Sequence, residues 1–155
     1  MACFLAASCS TTNTVRTASD ISAIREHQPF SLNISAASPQ MERLLQEYIT
    51  ASFDKLLVIG APPKGTIEVI FTSHDQANEF SKWQNSTMLM VIKSGDGARL
   101  WTGEYTYKGG MELSSFSVNA PAEAAKLVSK RMAAKFESDY LRSGTPSGAR
   151  HSLPK

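Results

Sequence analysis

The stretch Thr87-Met-Leu-Met-Val-Ile-Lys-Ser-Gly-Asp-Gly-Ala-Arg-Leu-Trp-Thr-Gly-Glu104 decides the fold. Residues 87–92 are apolar on both faces, as a central strand requires. Ser94 to Gly97 then supply the Asp-Gly chemistry of a hairpin turn, because glycine accepts positive φ at little cost. The return strand, residues 99–108, carries Trp101, Gly103, Tyr105 and Tyr107 on one side and Leu100, Thr102, Glu104 and Thr106 on the other. Two strands joined this tightly are antiparallel.

Working outward, Phe30, Leu32 and Ile34 alternate with polar residues as in a half-buried strand. Ser38-Pro39 reads as an N-cap followed by the residue favoured at the first helical position. Met41, Leu44, Leu45, Tyr48 and Ile49 then recur at helical spacing, giving a helix that ends near Leu56. Gly60 to Gly65 contains two prolines and cannot continue it. Residues 66–72 form a β-branched strand. Ser73 is read as the cap of a short helix over residues 74–83, with Ala77, Phe80 and Trp83 on its apolar face. Gly109-Gly110 is expected to break the strand of Trp101, and residues 112–118 to add a short further one. Asn119 caps a last helix whose stripe is Ala125, Val128, Met132, Phe136 and Tyr140. The fold class is therefore α+β, with an antiparallel or mixed sheet of four to five strands and two long helices packed on one face.

The N-terminus speaks to location. Cys3 to Ala7 is a short apolar stretch that runs through Ala6, Ala7 and Ser8 into Cys9, the pattern of a lipoprotein export signal. The stretch is short and lacks a basic region, so either the true start lies upstream of Met1 or the likeness is accidental. Acylation of Cys9 would contribute roughly 0.8 kcal/mol per buried methylene, and several chains together hold a domain on a membrane. The expected layout is a signal remnant at 1–9, a flexible tether at 10–28, one α+β domain at 29–141 and a disordered tail at 142–155. No apolar run after residue 9 approaches the roughly 20 residues of a spanning helix.

Chemistry is sparse. Sixteen basic against 14 acidic side chains give a net charge of +2, with the basic residues scattered, which argues against a nucleic-acid footprint. His27, His74 and His151 have no carboxylate or thiol at ligand spacing, so neither a metal site nor a catalytic residue is expected, and no cofactor. Glu104 with Glu112 and Asp75 with Glu79 are the carboxylate pairs worth inspection; both read better as solvated faces. Trp101, Tyr105 and Tyr107 form either a contact platform or part of the core, since a strand packed on a helix has the same spacing. Lys126, Lys130 and Arg131 read as a solvated helix face.

The block at residues 87–104, with the helix ending in Lys135-Phe136 and the earlier helix at 41–53 and strand at 66–72, resembles a family of small bacterial envelope lipoproteins of unknown function. In that family a strand, a turn near Asp and Gly, a strand bearing Trp-x-Gly and a C-terminal helix close the domain. The likeness covers roughly residues 28–140. It implies a non-enzymatic, lipid-anchored envelope protein facing the periplasm, whose partners are the membrane and another envelope protein. Two other readings stay open: a module binding a small apolar or glycan ligand beside Trp101 and Tyr105, and a hydrolase gathering Glu104, Glu112 and a histidine in one cleft.

Overall fold

The computed structural model describes residues 21–77, 82–111 and 120–143. Four strands and two long helices follow one another: β1 (Phe30–Ser35), α1 (Pro39–Phe53), β2 (Gly65–Ala77), β3 (Lys82–Ser94), β4 (Arg99–Met111) and α2 (Ala120–Ser143). The sheet order is β1-β2-β3-β4, with β1 parallel to β2 and the other pairs antiparallel. The α1 crossover makes the first pair parallel; tight connections make the others antiparallel. The expected α+β class with a mixed sheet is what the chain adopts.

Local chemistry sets the helix starts as read. Ser38 has extended backbone, and its Oγ accepts a hydrogen bond from the Met41 amide at 3.2 Å. Pro39 follows it in the first turn, where its missing N–H costs nothing. The two helices run side by side in the same direction: Ser38 and Met41 share a cleft with Pro121, while Asp54 and Lys55 share another with Lys130 and Glu137.

Strict alternation places the core on one sheet face. Rows of paired residues cross the strands there: Leu32, Ile67, Ile92 and Trp101, then Ile34, Val69, Met90 and Gly103, then Phe71, Met88 and Tyr105. Leu45, Ile49 and Phe53 of α1 and Ala125, Val128, Met132 and Phe136 of α2 close over them. Phe136 links the layers, meeting Phe53 at 5.7 Å and the edge of Trp101 at 5.3 Å between ring centroids.

Four readings are corrected. The helix expected over residues 74–83 is strand at both of its described ends, 74–77 and 82–83: Asp75 pairs with Gln84, Gln76 with Trp83 and Ala77 with Lys82, extending the β2–β3 ladder. Weak local spacing lost to a register already fixed by the longer strands. Gly109-Gly110 does not end β4, since Gln84 and Trp83 on the lengthened β3 pair with them. Leu100 is buried beside Trp101 and does not share the outer face of Thr102, because the register shifts between Ile92 and Lys93 and lets two successive residues turn inward. Ile21–His27, read as the end of the linker, is a 3-10 helix whose Ile24 is only 1% exposed. The strand expected at 112–118 and the cap at Asn119 lie outside the described residues, as does Cys9.

Candidate interaction surface

The described helical elements lie on one face of the sheet, and among the described residues none of them covers the other. On β2 the side chains of that other face are Glu68, Ile70 and Thr72; on β3, Thr87, Leu89, Val91 and Lys93; on β4, Thr102, Glu104 and Thr106. Ile70 stands opposite Leu89 and is 50% exposed, an apolar contact that no described element covers. Glu68 and Lys93 meet at 2.7 Å beside it. An exposed ion pair of this kind contributes little to stability but gives the face a charge pattern. A row of threonines, Thr72, Thr87 and Thr106, crosses the three strands, with the hydroxyls of Thr87 and Thr106 3.2 Å apart. Thr102 Oγ1, also on this side, is buried without a hydrogen-bond partner.

The β1 edge is partly covered. At β1 the segment after α1 covers the start of the edge: Phe30 N–H donates to the Val58 carbonyl at 2.8 Å, and Gly60 N–H donates to the Phe30 carbonyl at 3.0 Å.

The aromatic residues singled out from the sequence separate. Trp101 is 4% and Tyr105 7% exposed, both part of the core. Trp101 Nε1–H donates to Asp139 at 3.1 Å, and Lys135 holds the same carboxylate at 3.2 Å. The indole also lies across Gly103, where an added Cβ would collide with its ring and come within 2.8 Å of Met132 Sδ. No platform remains at Trp101 and Tyr105, because α2 occupies the space a ligand would need. Tyr107 is only partly buried, packed against the core.

A cleft of about 420 Å³ lies instead where both helices begin. Its floor is polar: Gln84, 3% exposed, donates from Nε2 to Ser73 Oγ at 2.7 Å, and Ser73 and Ser86 hydroxyls are 3.0 Å apart. These groups satisfy one another, and His74 is the one titratable side chain among the described residues lining it. Sequence reasoning missed this cleft because it assigned residues 74–83 to a helix. Glu104 projects from the outer face of the sheet, and Glu112, its expected companion, lies outside the described residues. Among the described residues no cluster of three His, Cys, Asp or Glu side chains is placed to hold a metal ion. None of the described helices is long and apolar enough to cross a membrane.

At the hairpin, Ser94 Oγ donates to the Asp96 carboxylate, and the Ala98 amide donates to the same oxygen at 3.2 Å. These two bonds, the Ser94 hydroxyl first, hold the Asp96 carboxyl below its ordinary pKa. Gly97, at φ 89°, closes the turn as the sequence predicts.

No protein-family model matches the sequence, and no curated protein does. Solved structures match the fold. A minor lipoprotein of Acinetobacter baumannii superposes with a TM-score of 0.52 at 12% identity, covering 73% of this chain and 92% of its own. PelC of Paraburkholderia phytofirmans, solved as a dodecamer, superposes with a TM-score of 0.52 at 11% identity, covering 79% and 94%. At this identity the likeness is one of fold, which by itself assigns no activity.

Proposed function

We propose that the protein is a non-enzymatic component of a bacterial cell envelope, tethered through a lipid on Cys9, that works by binding another envelope protein. The observation that carries this reading is the sheet itself: one face is packed under both helices, while the other presents Ile70, Leu89 and Val91 among charged and hydroxylated neighbours. The fold shared with a bacterial lipoprotein, and with PelC as an assembly of many copies, supports the same reading. Residues 10–20 would act as the tether between the lipid and the folded part.

Two measurements test it. Fatty-acid labelling in a bacterial host, with an export leader supplied upstream, should mark the wild type and not Cys9→Ser. Label retained in the variant removes the anchor from the proposal. A photo-reactive residue at Ile70 should capture a neighbouring protein in the envelope; labelled, membrane-held protein with no neighbour at that face would refute the interaction role.

A further inference from the structure

The chain enters the folded part through the 3-10 helix Ile21–His27, and the strand register fixes which end of the sheet that is. Gly65 pairs with Phe30 on one side and Ser94 on the other, so the starts of β1 and β2, the end of β3 and the turn at residues 95–97 share one pole. The Arg25 guanidinium lies 5.3 Å from the ring centroid of Tyr140, and Asp139 accepts from Trp101 near the start of β4, which brings the last turns of α2 to the same pole. Both helices begin at the opposite pole, beside Ser73 and Gln84.

The tether pole is basic. Arg25, Lys64, Arg99 and Arg142 are exposed there, against Glu26 and Asp96. Among the described residues none of these four cations makes an ion pair. The Lys64 amide donates to the Pro29 carbonyl at 2.8 Å and its own carbonyl lies against Gly95, so Lys64 is fixed beside the turn that leads to Arg99. Residues 144–155, which follow α2 in the sequence, add Arg150, His151 and Lys155 and no acidic side chain. Two large apolar side chains project at the same pole: Val58, 57% exposed, whose carbonyl holds the Phe30 amide, and Leu141, 64% exposed, in the last turn of α2. Cations around projecting apolar side chains suit an anionic lipid surface, since the cations meet the headgroups and the apolar groups reach the acyl boundary.

We infer that this pole is a docking surface for an anionic bilayer, acting beside the lipid on Cys9 to set how the domain stands. This rests on the lipid-tether reading above and names the surface that the tether turns to the membrane. Residues 10–20 reach at most about 40 Å from Cys9 even when fully extended. Attraction between surface charges fades over about 8 Å at physiological ionic strength. The lipid therefore brings the pole into range, and the charges fix its orientation. The strands then point away from the bilayer, β3 with its 13 residues carrying the opposite pole about 43 Å outward. Ile70 and Leu89 stand on the flank, where an envelope partner can reach them.

The test uses the full chain as a Cys3→Ser, Cys9→Ser variant, so that no lipid contributes, and measures its partition onto vesicles of phosphatidylcholine alone or mixed with phosphatidylglycerol. Binding should require phosphatidylglycerol and weaken as salt is raised. Each basic side chain at an anionic surface changes partition about five-fold. Lys64→Gln with Arg99→Gln should therefore lower it about 25-fold. Lys126→Gln with Lys130→Gln makes the same change of net charge at exposed positions of α2 away from this pole and should lower it about two-fold or less. Orientation is read separately, with Cys9 of a Cys3→Ser chain joined to a maleimide lipid. A fluorophore at Ala98 should then be quenched by a headgroup-bound quencher more strongly on vesicles containing phosphatidylglycerol than on neutral ones, and a fluorophore at Gln40 should not. Equal binding to neutral and anionic vesicles, or equal losses from the two charge pairs, overturns the inference. These vesicle results do not depend on whether cells acylate Cys9. If fatty-acid labelling fails while anionic vesicles still bind through Lys64 and Arg99, the anchor falls and the docking surface stands; if labelling succeeds and the vesicles show no preference, the docking surface falls alone.

Discussion

Gly103→Ala tests the packing that the Trp-x-Gly sequence encodes. Residue 103 points into the core side of β4, and a methyl group there collides with the six-membered ring of Trp101 and sits 2.8 Å from Met132 Sδ. Two responses are open. If the indole swings away, it gives up the edge-on contact with Phe136, about 0.5–1.5 kcal/mol, and the hydrogen bond to a charged Asp139, about 1.5–3 kcal/mol. If it stays, the strand and α2 must spread, and such overpacking costs about 1–3 kcal/mol. The chain takes the cheaper route, so the expected loss is about 1–3 kcal/mol. That is a large part of the roughly 5–15 kcal/mol that holds a domain of ordinary stability. Urea unfolding followed by far-UV circular dichroism reads it as a lower midpoint at unchanged slope. The decisive comparison is the same substitution in a Trp101→Phe chain. Phenylalanine lacks the atoms that collide, so there Gly103→Ala should be neutral or stabilising by about 0.5–1 kcal/mol, through the lost backbone freedom of the unfolded glycine. Equal costs in both backgrounds, or a loss below about 0.5 kcal/mol beside Trp101, would refute the argument that the glycine exists to admit the indole.

Two further outcomes follow from single groups. Thr102→Val should raise the unfolding free energy by about 1 kcal/mol, read as a higher urea midpoint, because Oγ1 is buried without a hydrogen-bond partner and the replacement keeps the shape while removing the unmet demand; a loss of stability would show that the hydroxyl has a partner. The Asp96 carboxyl is held below its usual 3.8 by Ser94 and Ala98, so its contribution to hairpin stability is fully present above that value and is lost as pH falls through the lower folded value. Carbon-13 titration of Asp96 should find a midpoint under 3.8, moving up in Ser94→Ala; a midpoint at or above 3.8 in the wild type contradicts the geometry.

Much of this architecture is legible from period alone. The capped start of α1, the Asp-Gly turn and the apolar-on-both-faces strand at residues 87–92 each combine a local signal with a length that admits one structure. The failures have a shared cause. Residues 74–77 and 82–83, Gly109-Gly110 and Leu100 are positions where local preference is weak and the neighbouring strand decides. Ala77, Phe80 and Trp83 fit a helix face by spacing, and two glycines ordinarily end a strand, yet the β2–β3–β4 register carries the ladder through both. Leu100 turned inward because a bulge adds a residue, and no rule of alternation contains a bulge. Ile24 escaped notice since one buried side chain in a polar stretch leaves no periodicity.

The site was less legible than the fold for a related reason. Sequence reading looks for residues that do chemistry, and it was drawn to the aromatic trio on β4. Trp101 and Tyr105 are consumed by packing, because the inner face of an edge strand still lies under a helix. What the sheet leaves outside is chemically plain: Ile70, Leu89, Val91, threonines, and a few charges. Such residues carry no motif, and their role emerges only when the register sets them in rows. A molecule with no catalytic constellation among its described residues can still be specific in this way, through the order of commonplace side chains across a sheet face.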